Sequence, residues 1–323
     1  MKTQNFTLTI GVDIAKQKFD AAGLLDNKYK HKTFSNDAEG FAEFIIWFTG
    51  LYNDTKPLIC MESTGCYSLP LADFLVRKDY AVSLINPARI HAFAKSELSR
   101  TKTDKADAKL IARYAALMQP ALWIPPPANI RQLQALVRRI EHLQEMIRME
   151  TNRLESAGST VQTSINTVLT TLEAELKATR EAIKNQIDSD PDLKNRSELL
   201  DSIPGIGQAT IAYLLIAFSP HHQFTKAKQV VAFAGLAPSL RESGQWRGNT
   251  HIAKNGDAAL RKALYMPAMV AWTHNPLIHE FCERLKTNGK NGKAIVCAAM
   301  RKLIHLAFGI LKSGKAFDPN YAG

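Results

Sequence analysis

The chain begins with strand-like alternation of apolar and polar positions. Phe6, Leu8, Ile10 and Val12 alternate with small or hydroxyl residues and predict a strand that ends at Asp13. Asp26 and Asn27 are typical of a turn between two further extended segments. The later predicted elements are strands at 19–25, 31–34, 57–61 and 80–85, a helix that follows Asn36 and includes 41–48, and helices at 69–76 and 87–98.

The next helical stretch carries Phe41, Phe44 and Phe48 on one face, and Asn36 is predicted to cap it. A short, continuous apolar run at 57–61 is typical of a buried strand, and Glu62 follows it directly. The resulting order is β-β-β-α-β-α-β-α. A strand meander followed by alternating units predicts an α/β domain of the ribonuclease-H-like class.

Three consecutive prolines at 125–127 cannot lie inside a helix and end this first domain, residues 1–125. Beyond them, apolar residues recur at intervals of seven, interrupted only at Gly158 and Ser159. This spacing predicts two long helices within residues 126–192, which form either an antiparallel hairpin or a dimerising coiled coil. Residues 193–323 are predicted to form a mainly helical third domain.

Composition favours a globular, soluble and cytoplasmic protein, because 46% of the 323 residues are hydrophobic and only 22% are charged. No run approaches the roughly 18 apolar residues of a membrane span, and the start does not resemble a signal peptide. The four cysteines form no CxxC pair, which argues against a zinc site or a disulfide framework.

Charge is distributed unevenly along the chain, whose formal net charge is +11. Residues 193–323 carry 17 basic and 7 acidic side chains, whereas residues 126–192 carry 8 and 10. A basic surplus confined to one region indicates a surface that binds a polyanion such as nucleic acid. The alternative is a charge that only maintains solubility.

Four carboxylates occupy positions that would bring them together. Asp13 and Glu62 end strands that are neighbours in a ribonuclease-H-like sheet, and Asp104 and Asp107 lie one turn apart on a predicted helix. Clustered carboxylates are stabilised by a hard divalent cation, and Mg²⁺ also accepts phosphate oxygens. The sequence therefore predicts magnesium-dependent phosphodiester chemistry.

Each acid also has a structural explanation of its own. Asp104 can stabilise a helix start and Asp13 can end a strand, whereas Glu62 directly after a buried run is costly without a partner. Actin-like and sugar-kinase ATP-binding domains also begin with a strand and an aspartate. They need a glycine-rich phosphate hairpin after it, and this chain has none there.

A Pro-Gly-Ile-Gly turn containing Gly205 and Gly207 separates two predicted helices. Such a helix-hairpin-helix element presents free backbone N–H groups to a DNA phosphate. A tight turn between two core helices explains the same glycines.

Ser243 lies in a predicted loop between Arg241 and Arg247. Guanidinium groups can bind phosphate there and stabilise developing negative charge. No local base activates the hydroxyl, so chemistry alone favours an ordinary loop serine. Further basic residues predicted to contact nucleic acid are Lys254, Arg261, Lys286, Lys290 and Lys293.

Taken in order, several motifs resemble one family across essentially the whole chain. They are GVDIAK at 11, MESTG at 61, KTDKADA at 102, IPGIG at 203, FAGLAP at 233, RESG at 241 and ALYMPA at 263. The family is that of the DEDD transposases of bacterial insertion sequences, which are bridge-RNA-guided recombinases. Its members have a domain like the Holliday-junction resolvase RuvC, a coiled-coil middle and a C-terminal transposase domain.

The resemblance implies that Asp13, Glu62, Asp104 and Asp107 bind magnesium and that Ser243 attacks DNA to form a phosphoserine link. It further implies a serine that reaches the acids of another protomer, a dimer or tetramer, donor and target double-stranded DNA, and a structured non-coding guide RNA. A bacterial, nucleoid-associated cytoplasmic location follows. Two alternatives remain: a metal-dependent junction nuclease that uses water, and a non-enzymatic DNA-binding protein.

Overall fold

The computed structural model describes residues 6–51, 56–63, 65, 67–98, 103–239, 242–243, 246–248 and 251–320. The side chains at 242, 243, 246 and 247 lie outside that description. The chain divides into two compact units, Met1–Pro125 and Pro126–Gly323.

The first unit is an α/β domain whose described residues form a five-stranded sheet in the order β3-β2-β1-β4-β5. The first three strands are antiparallel neighbours, whereas β4 runs parallel to both β1 and β5. The elements are β1 (Thr9–Ile14), β2 (Lys18–Leu25), β3 (Lys28–Ser35), α1 (Ala38–Leu51), β4 (Leu58–Glu62), α2 (Leu69–Arg77), β5 (Ala81–Ile85), α3 (Pro87–Ser96) and α4 (Asp104–Met118).

Helices cover both faces of this sheet, as the continuous apolar run of β4 predicts. Alternate residues of β4 point to opposite faces: Ile59 and Met61 pack with α1 and α2, and Leu58 and Cys60 pack with α3 and α4. The predicted order of strands and helices is confirmed in this unit. Its mixed α/β class follows from an antiparallel meander that leads into parallel crossovers.

The predicted cap of the first helix was wrong by one residue. Asp37, not Asn36, precedes α1, and its carboxylate accepts a hydrogen bond from the Gly40 amide at 2.9 Å. Asn36 instead donates through Nδ2 to the carbonyl oxygens of Ala15 and Tyr67. Both residue types favour helix starts, so the local sequence does not distinguish them.

The second unit is mostly helical. Its helices are α5 (Ala128–Ser156), α6 (Ser159–Asp188), α7 (Pro191–Asp201), α8 (Gln208–Ala217), α9 (Ala227–Phe233), α10 (Ala258–Ala263), α11 (Tyr265–His274), α12 (Pro276–Thr287) and α13 (Gly292–Ser313). A 3-10 turn spans Pro220–His222, and the short strands are β6 (Pro238–Ser239), β7 (Glu242–Ser243), β8 (Trp246–Arg247) and β9 (His251–Ile252).

The two long helices form an antiparallel hairpin. Asn129 near the start of α5 donates to Asp190, just beyond the end of α6, at 2.6 Å, and Gln186 donates to Gln132 at 2.9 Å. The base of the hairpin shares a hydrophobic core with the C-terminal helices, to which Leu133 of α5 contributes a fully buried side chain. The hairpin alternative therefore describes this chain, while a dimerising coiled coil stays a prediction.

Among the described residues, one helix, α13, meets the length and composition of a membrane span, which the sequence analysis did not expect. Gly292–Ser313 is long and apolar enough by composition, with a mean hydropathy of 1.8 over its best window. Half of that window is buried inside the protein, where Leu303 and Ile304 have no exposed surface. A helix that is apolar on most faces is also what the centre of a helical core requires.

Candidate active site

The sheet places Asp13 and Glu62 side by side, at the C-terminal ends of two neighbouring strands. Strands β1 and β4 are parallel, with Val12 opposite Met61, so the next residue of each strand is one of the two acids. Parallel neighbouring strands end at the same edge of a sheet. The sequence prediction that these two carboxylates lie at the same end of adjacent strands is confirmed, although β1 continues one residue beyond Asp13, to Ile14.

Helix α4 is held against β1 at a single glycine. A Cβ atom on Gly11 would lie 2.1 Å from the carbonyl oxygen of Ala108 and 2.2 Å from the amide nitrogen of Ala112. The Thr9 hydroxyl donates to the Ala112 carbonyl at 3.0 Å in the same buried contact. This close approach fixes the helix whose first turn carries Asp104 and Asp107.

The environment of Asp13 shows that the four acids share one electrostatic neighbourhood. Burial raises the pKa of Asp13 to about 6, with further contributions from the negative charges of Asp107, Asp104 and Glu62. A carboxyl group that is partly buried among other carboxylates resists ionisation for both reasons. A nearby cation would therefore favour the ionised form of Asp13.

Two residues that the sequence analysis did not single out complete this neighbourhood. Asp20 lies opposite Asp13 in the β1–β2 pair and is only 5% exposed. The ammonium group of Lys18 lies 2.8 Å from Asp104 Oδ2 and 3.6 Å from Asp20 Oδ2, and it lowers the pKa of Asp104. The antiparallel register of the predicted β1–β2 hairpin was the available signal for Asp20.

The donor set fits a divalent cation in chemical type. Carboxylate oxygens are the ligands that Mg²⁺ prefers, and Asp13 responds to the charges of all three other acids. Within the part of the chain that the structure describes, no three such side chains already converge as the ligands of a bound ion would. The four acids are neighbours, but they do not form a closed coordination shell.

The segment that carries Ser243 starts from a tightly packed base in the second unit. Strand β6 pairs with β9, and the amide of Asp257 donates to the Phe233 carbonyl at 2.7 Å. A Cβ atom on Gly256 would lie 2.2 Å from that same carbonyl oxygen, so the two flanking segments are in backbone contact. Between them, Ser243 of β7 pairs with Trp246 of β8.

Three predicted site groups belong to the part of the chain outside the described residues and side chains. Arg241 lies outside the described residues, and so do the side chains of Ser243 and Arg247. Their roles stay predictions.

The Pro-Gly-Ile-Gly turn does separate two helices, α7 and α8. Gly205 has a φ of 103°, and a Cβ atom there would lie 2.6 Å from the side chain of Ala271 in α11. Gly207 precedes α8 and has open space around it. Close packing against Ala271 therefore explains the glycine at position 205. Among the described residues, no such contact limits the side chain at position 207.

The predicted basic residues fall into two groups. Arg261 donates from Nη1 to the carbonyl of Ala234 at 2.9 Å, which gives it a structural role at the base below Ser243. The other predicted basic side chains that the structure describes are exposed: Lys254, Lys286, Lys290 and Lys293. The exposed group is the one available to a polyanion.

Comparison with known proteins identifies the family. A DEDD model for IS110 elements, described as "Transposase", matches residues 10–157, and a model described as "Transposase IS116/IS110/IS902 family" matches residues 197–283. A pilin gene-inverting protein of Moraxella bovis is 36% identical over 312 residues, which cover 96% of this chain and 97% of that relative. The chain belongs to the IS110/IS116 transposase family.

Other relatives agree with this assignment. The pilin gene-inverting protein of Moraxella lacunata is 36% identical over 312 residues, covering 96% of this chain and 97% of its own. A transposase for insertion sequence element IS1111A of Coxiella burnetii is 23% identical over 294 residues, covering 82% and 78%. The transposase is thus an enzyme that acts on DNA, and the expectation of an insertion-sequence recombinase is confirmed at that level.

Proposed function

We propose that this transposase joins donor and target DNA by magnesium-dependent strand exchange through a phosphoserine intermediate. The observation that carries the proposal is the electrostatic coupling of Asp13 to Glu62, Asp104 and Asp107 at one sheet edge. In a transposase, an acidic cluster of this kind is suited to binding a divalent cation that neutralises a phosphate. The sheet order and its helix-covered faces support a ribonuclease-H-like, RuvC-like class for the first unit.

The chemistry would divide between the two units. Asp13, Glu62, Asp104 and Asp107 would hold Mg²⁺, which supplies Lewis acidity and charge neutralisation when bound. The Ser243 oxygen would attack the scissile phosphorus, lose its proton and displace one DNA oxygen, which leaves with a proton. Attack by a DNA hydroxyl on the phosphoserine then restores the serine, so the phosphodiester count is conserved without ATP.

The partners proposed are donor and target duplex DNA, a structured non-coding guide RNA, and further copies of the chain in a dimer or tetramer. The exposed lysines of the second unit support the nucleic-acid partners. The guide RNA rests on the family resemblance, which also supports a cytoplasmic, nucleoid-associated location. The division into residues 1–125, 126–192 and 193–323 likewise stays a proposal.

The deciding experiment compares Ser243→Ala with Ser239→Ala in a recombination assay supplied with the flanking non-coding RNA. Ser239 is a matched control, because it is an exposed serine of β6 at the base of the same segment. We expect Ser243→Ala to abolish strand exchange and leave DNA binding within about twofold, and Ser239→Ala to retain exchange.

Denaturing gels of the reaction distinguish the alternatives. A protein–DNA adduct that Ser243→Ala abolishes supports the serine mechanism, whereas free cut ends without an adduct support a nuclease that uses water. A non-enzymatic DNA-binding role predicts instead that Asp13→Asn and Glu62→Gln leave recombination unchanged. Full exchange by Ser243→Ala would remove this residue from the mechanism.

A further inference from the structure

A lysine contacts one of the predicted cation ligands. The ammonium nitrogen of Lys18, at the start of β2, lies 2.8 Å from Asp104 Oδ2. It also lies 3.6 Å from Asp20 Oδ2. The side chains of Lys18 and Asp104 are 52% and 57% exposed, so both can change partner without leaving a buried charge behind.

The Asp20 carboxylate beside Lys18 is held in place by its neighbours. Asp20 is 5% exposed and accepts hydrogen bonds from His31 Nε2 at 2.8 Å and from the Thr33 hydroxyl at 2.7 Å. Both donors lie on β3, and Asp20 is paired with Thr33 across the β2–β3 ladder. A buried carboxylate with two such partners has little rotational freedom, so it provides a stationary negative charge beside Lys18.

We propose that Lys18 is a positioning residue of the acidic cluster: anchored by Asp20, it binds the Asp104 carboxylate and competes with a divalent cation for it. This inference rests on the proposed function, because it assumes that Asp104 is a cation ligand.

Competition between Lys18 and the cation predicts the direction in which cation affinity changes when Lys18 is replaced. A charge-assisted hydrogen bond from an ammonium group occupies one Asp104 oxygen and cancels part of the negative charge that attracts a cation. Removing the ammonium should therefore strengthen cation binding. Once Asp104 ligates a cation, Lys18 is released next to the site, where its charge is available to a DNA phosphate.

The test is a titration of the full-length, DNA-free protein with Mn²⁺, in which calorimetry measures the binding. We expect Lys18→Met to bind Mn²⁺ about two- to fivefold more tightly than the parent, the range for loss of one exposed ion pair. Lys18→Arg should stay within twofold of the parent. Lys28→Met removes an equal charge at the opposite end of the β2–β3 hairpin and should leave binding unchanged.

A double-mutant cycle separates competition from a change in net charge. In an Asp104→Asn background, Lys18→Met should no longer alter Mn²⁺ binding, because the pair has already been broken. Unchanged or weaker binding by Lys18→Met, or a gain that persists with Asp104→Asn, would overturn the inference.

A third variant separates this inference from the proposed function. If Asp13→Asn weakens Mn²⁺ binding while Lys18→Met has no effect, only the role of Lys18 fails. If Asp13→Asn leaves Mn²⁺ binding unchanged, the proposed cation site fails and the role of Lys18 fails with it. Recombination assays of Lys18→Met provide a second readout. We expect this variant to show reduced strand exchange even though it binds the cation more tightly.

Discussion

Gly11 is the residue at which helix α4 rests on strand β1. Any larger side chain would meet backbone atoms of Ala108 and Ala112, which cannot rotate away. We expect Gly11→Ala to lower the free energy of unfolding by about 2 kcal/mol or more, because the helix must move outward. Urea unfolding of the full-length protein measures this change. The same shift would separate Asp104 from Asp13 and reduce strand exchange.

A second glycine in the same unit provides the control. Gly50 lies in α1 with no atom within 4 Å of its potential Cβ. Gly50→Ala should cause no loss of stability, since alanine favours a helix over glycine. Equal stabilities for the two variants would show that α4 does not depend on the close approach at Gly11.

At the residue scale, the sequence predicted the acids but not what holds them. Asp13 and Glu62 were predictable because each comes directly after the apolar residues of a strand. The contact between Gly11 and Ala108 was not, since it joins residues almost a hundred positions apart. Lys18 and Asp20 were missed because their importance depends on the register of a hairpin rather than on their own neighbours.

The 3-10 turn at Pro220–His222 packs against the base of the segment that carries Ser243. The His222 ring stacks on Phe224 at 5.2 Å and lies 4.7 Å from Phe233, whose carbonyl accepts the Asp257 amide. Its Nε2 is buried and has no hydrogen-bond partner among the described residues. Burial, together with the neighbouring His221, lowers the pKa of His222 to about 4.

The lowered pKa of His222 predicts that acid reduces the stability of the folded protein. Between pH 6.5 and 4 the unfolded chain binds a proton at His222 and the folded chain does not, so stability is complete above pH 6.5 and falls towards pH 4. We expect His222→Phe to reduce that loss by roughly 1–2 kcal/mol, less than the full shift implies because the ring is partly exposed. Unfolding measured at several pH values tests this.

The matched control replaces the exposed His274 at the end of α11. His274→Phe should retain the parental dependence of stability on pH. A parental profile for His222→Phe as well would show that another group causes the acid sensitivity.

At the scale of elements, periodicity predicted most of the first unit, because alternating and helical patterns there are short and regular. It was less informative for α13, whose apolar residues cover most faces of the helix. Such a helix is explained only by its neighbours in the C-terminal core. The paired strands around Ser243 were also not predicted, since two-residue strands carry no periodic signal.

At the scale of the whole molecule, the distribution of charge predicts where nucleic acid binds. The acidic middle of the chain separates a weakly basic first domain from a C-terminal region with 17 basic and 7 acidic residues. Exposed lysines at the end of α12 and the beginning of α13 form one part of that surplus: Lys286, Lys290 and Lys293. Lys286 lies 3.6 Å from Glu283 and its side chain is 64% exposed, so it can exchange that partner for a phosphate.

Replacing these three lysines by glutamine should weaken duplex DNA binding and make it less dependent on salt. Each lysine that contacts a phosphate contributes about one unit to the slope of log affinity against log salt concentration, because counterions are released. We therefore expect the slope to fall by up to about three units for any DNA sequence. A control in which Lys177, Arg180 and Lys184 of α6 become glutamine removes the same charge from the acidic middle and should leave the slope unchanged. Equal slopes for both triple variants would mean that the C-terminal surplus is not the DNA-binding surface.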